Sequence, residues 1–345
     1  QGGIDTAVSA MRAGAFDFLV KPASPERIRV SLANALKLDA LEHEVMRMKR
    51  SQSGTLTFDD IVMQSAVMDR VIELGRRAAQ SSIPVLIEGE SGVGKELVAR
   101  AIQGSGPRRS KPFVTVNCGA IPENLIESVL FGHEKGAFTG ASEKHLGKFQ
   151  EANGGTLFLD EVGELPPDAP VTLVRALQEG DVEPVGSRRP VRTTFRLIAA
   201  TNRRLIDMVS DGHIREDLFY RLNVFPIWVP PLRERMDDIP ELARHFTARF
   251  AAEEGKKALA GLSASTLNLL MSYSWPGNIR QLENAVFRAV VLSDGETLKP
   301  EDFPQIVAAV DPQAGRARII GASMASMQPT AELPAKPLLD HSAVS

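Results

Sequence analysis

The stretch Val85-Leu86-Ile87-Glu88-Gly89-Glu90-Ser91-Gly92-Val93-Gly94-Lys95-Glu96 decides the fold. Val85–Glu88 is a short apolar run closed by glycine, the pattern of a buried strand. It passes into G-x-x-x-x-G-K, the spacing of a phosphate-binding loop between a strand and a helix. Glycines accept positive φ, so successive backbone N–H groups can turn inward toward phosphate oxygens. The helix expected from about Lys95 adds the positive end of its dipole. Lys95 itself supplies a compact cation for the β- and γ-phosphates. Residues Gly89 to Glu96 are therefore the candidate nucleotide ligands. The Ser or Thr that usually follows the lysine, and whose hydroxyl ligates Mg²⁺, is replaced by Glu96. A carboxylate there is read as a metal ligand, direct or through water.

Downstream, Phe113–Val116, Thr156–Asp160, Arg196–Thr201 and Val224–Val229 are further short apolar runs, separated by longer helical or loop segments. Strand–helix alternation of this kind predicts a parallel sheet covered by helices. The run Gly155-Thr156-Leu157-Phe158-Leu159 delivers Asp160 and Glu161 at its C-terminal end, the edge of an open α/β sheet where ligands bind. Asp160 is expected to hold Mg²⁺, and Glu161 to act as general base toward the attacking water. Asn117, Thr201 and Asn202 fall at the ends of neighbouring runs, placed to position water or sense the γ-phosphate; each alone is equally a turn residue.

After Pro230-Pro231 no strand-like run follows. Helical periods over 238–253, 263–272 and 278–293 predict a small all-helical domain. From about residue 305 the chain turns to Ala, Pro, Ser, Gln and Met, read as a poorly ordered tail. No repeat of 20–50 residues is present. The 345 residues are 43% hydrophobic and 24% charged with net charge −3, which gives no global electrostatic reason to bind nucleic acid or membrane. The single cysteine, Cys118, excludes an intramolecular disulfide and suits a reducing cytosol. No signal peptide and no run of 18 apolar residues is found, so a cytoplasmic location is expected. The chain does not begin with Met and is read as a piece of a longer protein.

The segment Phe131-Gly132-His133-Glu134-Lys135-Gly136-Ala137-Phe138-Thr139-Gly140-Ala141 makes the reading specific. The hexapeptide Gly136-Ala137-Phe138-Thr139-Gly140-Ala141 resembles the hallmark of bacterial enhancer-binding proteins, AAA+ ATPases that activate RNA polymerase carrying sigma-54. The resemblance runs from residue 61 to about 304 and includes GESGVGKE, VNC, GGTLFLDE, AATN, REDLFYRLNVF, PPLRER and WPGNIRQL in order. Glu96 departs from the general phosphate-loop pattern but matches this family. A second departure is Ile61-Val62-Met63, where the family usually has Ile-Val-Gly beside the adenine.

The resemblance implies further roles. Asn117 acts as a switch restraining Glu161; Thr201 and Asn202 form the first sensor. Arg215 and Arg221 are arginine fingers reaching a neighbouring subunit's ATP. Arg280 is the second sensor, in the helical lid. The loop Gly136–Ala141 contacts sigma-54. ATP and Mg²⁺ are the implied cofactors. Sigma-54, RNA polymerase and further copies of the chain in a ring, in the family commonly a hexamer, are the implied partners. The implied organisation is an AAA+ α/β subdomain over 58–232 and a lid over 233–304, followed by the tail 305–345. Residues 1–36, carrying Ala13-Gly14-Ala15-Phe16-Asp17-Phe18-Leu19-Val20-Lys21-Pro22, resemble the end of a two-component receiver domain, joined by a helical linker over 37–57. No helix-turn-helix is found, so enhancer DNA is expected to be bound only through a C-terminal module outside this sequence. The alternatives are a non-hydrolysing regulatory module, or an AAA+ remodeller of another protein.

Overall fold

In a computed structural model, the described residues are Ser24, 55–166, 170–187 and 189–310. Apart from Ser24, the receiver-like segment 1–36, nearly all of the linker, and the tail beyond residue 310 lie outside them. The described chain divides into two compact units, one reaching to Pro230 and the other comprising Met63–Ser65 and the residues from Pro231 onward.

The first unit is built on a five-stranded parallel sheet: β1 (Val85–Glu88), β2 (Phe113–Asn117), β3 (Thr156–Asp160), β4 (Arg196–Thr201) and β5 (Pro226–Trp228), in the order β2-β3-β4-β1-β5. The central strands are buried on both faces, so they read as continuous Val/Leu/Ile/Ala runs without alternation. The last strand is shorter than the run Val224–Val229 suggested. Val224 is exposed, and ladder pairing begins with the Leu86 N–H donating to the Phe225 carbonyl.

Among the described residues seven helices accompany the sheet: α1 (Ala66–Ala79), α2 (Lys95–Gly104), α3 (Ile126–Phe131), α4 (Lys148–Glu151), α5 (Pro170–Glu179), α6 (Leu205–Ser210) and α7 (Glu216–Leu222). Helix α1 buries Met68, Val71, Ile72, Gly75, Ala78 and Ala79, spacings of three and four that make one apolar stripe. Gly75 leaves room for the Phe58 ring, which a Cβ at that position would strike. At the sheet's opposite edge Arg196 is buried, its Nη2 donating to the Ala78 carbonyl at the end of α1 (2.6 Å). Burial, with the Arg108 charge nearby, brings Arg196 down to about 10.

The second unit holds α8 (Asp238–Glu253), α9 (Ala264–Met271), α10 (Asn278–Leu292) and α11 (Pro304–Val310). Helix α8 packs on both α9 and α10. Two findings correct the sequence reading. The unit is not purely helical: Gly261–Leu262 pairs in parallel with Thr297–Leu298. Residues 305–310 are helical rather than tail, because Ile306 and Phe303 are buried as part of the packed unit. The Asp238 carboxylate is fully buried and accepts from the Gln64 and Ser65 N–H groups (2.5 and 2.7 Å). That bond pair is why three residues distant in sequence belong to this unit.

Candidate active site

The phosphate loop joins β1 to α2. Gly92 and Gly94 have φ of 77° and 101°, which side chains other than glycine rarely adopt. A Cβ on Gly89 would lie 2.6 Å from the Val229 carbonyl, so the close pass of the loop by β5 requires glycine. Lys95 opens α2, is 8% exposed, and donates from Nζ to the Gly89 and Glu90 carbonyls (2.8 and 3.0 Å). The ammonium is thus held over the loop concavity. Glycine conformations, a helix N-terminus and a fixed cation together fit a polyphosphate.

Strand register gathers the polar residues at the same sheet edge. Asn117 pairs with Asp160, and Glu88 with Thr201, whose carbonyl accepts from the Gly89 N–H (3.2 Å). Burial pushes the Asp160 carboxyl above the usual range. The Glu161 N–H, donating to Asp160 Oδ1 at 2.9 Å, and the Lys95 charge oppose the shift, while Glu161 and Glu96 add to it. Asp160 therefore sits within electrostatic reach of the loop lysine and of two carboxylates. Glu161 adopts φ 54° and ψ 44°, left-handed backbone that is costly for a side-chain-bearing residue. Strain of this kind, of order 1–3 kcal/mol, persists where the surroundings enforce it and clusters at functional sites. Cys118, beside this edge, is pushed up to about 12 by burial and by the Asp160 and Glu161 charges, which keeps it a thiol.

Three expected roles meet a different geometry. Glu96, expected as a metal ligand, instead pairs with Arg100, one helical turn on (2.8 Å). Spacing i,i+4 puts both on one face of α2. Among the described residues no group of three metal-binding side chains exists. Asn117, expected to restrain Glu161, turns its side-chain oxygen onto the Gly119 and Ala120 N–H groups (2.9 and 3.2 Å). The strand ends here, and the first turn's unsatisfied N–H groups need an acceptor. The Thr201 hydroxyl is likewise engaged by the backbone of Arg203, while Asn202 is exposed.

Arg215 is the N-cap of α7 and Arg221 lies in its last turn, and both are exposed. Arg215 forms a bridge to Asp217 (2.9 Å) that raises the arginine and lowers the aspartate. Arg280 is exposed on α10 of the second unit. Helix α10 begins at a rigid corner. Trp275 and Asn278 both have positive φ, Trp275 Nε1 donates to the Leu270 carbonyl (2.8 Å), and Asn278 Oδ1 accepts from the Leu232 N–H (2.8 Å).

The loop Gly136–Ala141 tops a hairpin whose stem pairs Gly132–His133 with His145–Leu146. Gly136 and Gly140 have φ of 80° and 117°, and the Gly136 N–H donates to the Ala141 carbonyl (2.8 Å), closing the loop. The Phe138 ring meets His133 edge-on at 5.0 Å yet stays 39% exposed. The loop thus projects an aromatic that its own hairpin covers only in part.

Sequence reasoning missed Gly119 and Gly163. A Cβ on Gly119 would lie 2.6 Å from Glu161 Oε2, and one on Gly163 would lie 3.3 Å from Thr201 Oγ1. Their neighbours are distant in sequence, so no local pattern marks them. Among the described residues, no helix is long and apolar enough to cross a membrane.

A parallel sheet in this order, with a phosphate loop after β1, an acidic pair after β3 and a helical unit after β5, defines an AAA+ phosphate-loop NTPase. Residues 43–228 match the family model of the sigma-54 interaction domain, and residues 233–319 that of the AAA+ ATPase lid domain. The chain belongs to the sigma-54-interacting AAA+ family. It is 47% identical to the transcriptional regulatory protein ZraR of Escherichia coli (strain K12) over 318 residues, 92% of this chain and 70% of that one. It is 44% identical over 301 residues to the regulatory protein AtoC of the same strain, covering 87% and 65%. The crystal structure of NtrX from Brucella abortus in complex with ATP is similar over 94% of this chain and 74% of that one, with 35% identity and a TM-score of 0.66.

Proposed function

We propose that this chain hydrolyses ATP in a ring and uses the cycle to remodel RNA polymerase carrying sigma-54. The observation that carries the reading is the joining of two features on one short stretch of chain. The β2 edge that holds Asn117 beside Asp160 leads through the turn Cys118–Ala120 and helix α3 to the stem of the exposed Gly136–Ala141 loop. Hydrolysis at the first can therefore displace the second.

In this reading the Gly89–Lys95 loop and its lysine bind the phosphates. Mg²⁺, held by Asp160, supplies charge neutralisation of the transferring phosphoryl group when bound. Glu161 takes the proton of the attacking water. Asn117 restrains Glu161 until the γ-phosphate is sensed, and Thr201 and Asn202 report that presence. Arg215 and Arg221 complete the site of a neighbouring copy, for which their exposure suits them; Arg215 exchanges Asp217 for phosphate. Arg280 reaches the nucleotide from the lid. Phe138 and Thr139 meet sigma-54, and burial by that partner would relieve the exposed aromatic. The linked receiver-like segment makes phosphorelay input the expected control.

The test is phosphate release by the purified chain, alone and with sigma-54 RNA polymerase. Magnesium-dependent hydrolysis together with a nucleotide-dependent sigma-54 complex is expected. Absence of hydrolysis at every protein concentration would leave a binding module and overturn the enzymatic reading.

A further inference from the structure

A second hairpin stands against the loop. Asp181–Val182 pairs antiparallel with Val191–Arg192, and the tip between them reads Glu183-Pro184-Val185-Gly186-Ser187-Arg188-Arg189-Pro190. From Glu183 to Arg192 the sequence carries three arginines against one acidic residue.

This tip is bonded to the partner loop at several points. The Val185 N–H donates to the Gly132 carbonyl (2.9 Å), and the Glu134 N–H donates to the Val185 carbonyl (3.0 Å). Gly186, at φ 81°, passes so close to Ala137 that a Cβ would lie 2.8 Å from the Ala137 Cβ. Two backbone bonds to Gly132 and Glu134 and a close pass at Ala137 place the tip against the hairpin that carries Gly136–Ala141.

Arg189 and Arg192 are exposed, as is Lys135 on the adjoining loop. Among the described residues none of the three has an ion-pair partner, whereas Lys144 is already held by Glu134 (2.7 Å). The Ser187 hydroxyl accepts from the Arg189 N–H (3.1 Å) and fixes the turn that presents this arginine. Exposed guanidiniums gain little from carboxylates on another protein surface. They gain more from a dense polyanion, whose condensed counterions they release, and their planar fork matches phosphate oxygens.

We infer that the Glu183–Arg192 hairpin binds the phosphate backbone of duplex DNA beside the site where the Gly136–Ala141 loop engages its protein partner. The inference rests on the proposed remodelling of a promoter-bound polymerase, and it adds a nucleic-acid contact made by the ATPase unit itself. The contact is independent of base sequence, since the Arg189 and Arg192 guanidiniums on phosphates carry no base readout. A ring would present it once per copy, multiplying a weak contact.

The test uses the full chain with ADP and metal fluoride, and a fluorescent duplex of arbitrary sequence as probe. Anisotropy is followed from about 50 to 200 mM salt. The parent is expected to bind with a steep salt dependence. The double variant Arg189→Ala, Arg192→Ala should bind at least ~10-fold more weakly with a shallower salt slope. Arg70→Ala with Arg244→Ala removes the same charge from two exposed arginines elsewhere, each ion-paired within its own helix; that variant should bind as the parent does. Equal affinity and slope in parent and Arg189/Arg192 variant would overturn the inference. So would loss, in that variant, of the DNA-free complex with sigma-54, which would make the arginines a protein contact. If the parent binds the duplex through these arginines but holds no sigma-54, the inference stands and the proposed function falls.

Discussion

Asn117 and Asp160 are register partners on adjacent parallel strands, and the residue after Asp160 is in left-handed backbone. The pairing fixes the switch candidate and the metal candidate at one level of the sheet edge. The left-handed turn then directs Glu161 away from the strand line, its carboxylate lying beside Gly119. Catalytic placement here is a property of strand register rather than of any one side chain.

Glu161→Gln removes the proposed proton acceptor and keeps the shape. ATP binding should persist, while turnover falls at least ~100-fold, the usual scale for a lost general base. Parallel measurement of nucleotide affinity and single-turnover rate checks this; normal turnover would remove Glu161 from the chemistry.

Lys95→Ala should abolish nucleotide binding, since it deletes the ammonium held over the loop carbonyls and the loop's only cation. Equilibrium binding of a fluorescent ATP analogue is the measurement, and affinity equal to the parent's would refute the assignment.

Asp160 yields a linked prediction for stability. Its carboxyl is raised by burial above the usual range, so folding disfavours the ionised form. The resulting cost is present in full above the raised value and vanishes below the unfolded one. At neutral pH, Asp160→Asn should therefore raise the melting temperature of the nucleotide-free chain, by an amount reduced by the partial exposure of the site, while abolishing hydrolysis. The stabilisation should disappear in acid. A lowered melting temperature at neutral pH would mean that the Glu161 N–H and Lys95 contacts outweigh desolvation.

The central strands β1, β3 and β4 were legible because they are buried on both faces and so spelled as apolar runs. The phosphate loop and acidic pair were legible because their chemistry demands fixed local spacing. Contacts between distant segments were not. Nothing near Gln64 announces Asp238, and nothing near Ala137 announces Gly186. The engagement of Glu96 by Arg100 is local and follows from their i,i+4 spacing on one helix. Helix α11 was missed because its composition matches the tail that follows, and only the burial of Ile306 separates them.

Arg215 and Arg221 are expected to act on a neighbour's nucleotide. Mixing an Arg215→Ala chain with a Glu161→Gln chain should restore hydrolysis at interfaces that combine the intact halves. Activity of the parent should also rise steeply with protein concentration. Concentration-independent hydrolysis by a chain shown to be monomeric in the ultracentrifuge would count against both fingers.

The central claim is that Gly136–Ala141 delivers the nucleotide cycle to sigma-54, and Thr139→Ala tests it most directly. Thr139 is exposed in a glycine-closed loop whose polar main-chain bonds do not involve its side chain. The variant should bind ATP normally and hydrolyse it within a few-fold of the parent. The decisive measurement is the amount of sigma-54 retained by the chain when ADP and a metal fluoride mimic the γ-phosphate. Complete loss of that complex in Thr139→Ala, with hydrolysis preserved, is the expected result; a complex as tight as the parent's would contradict the account.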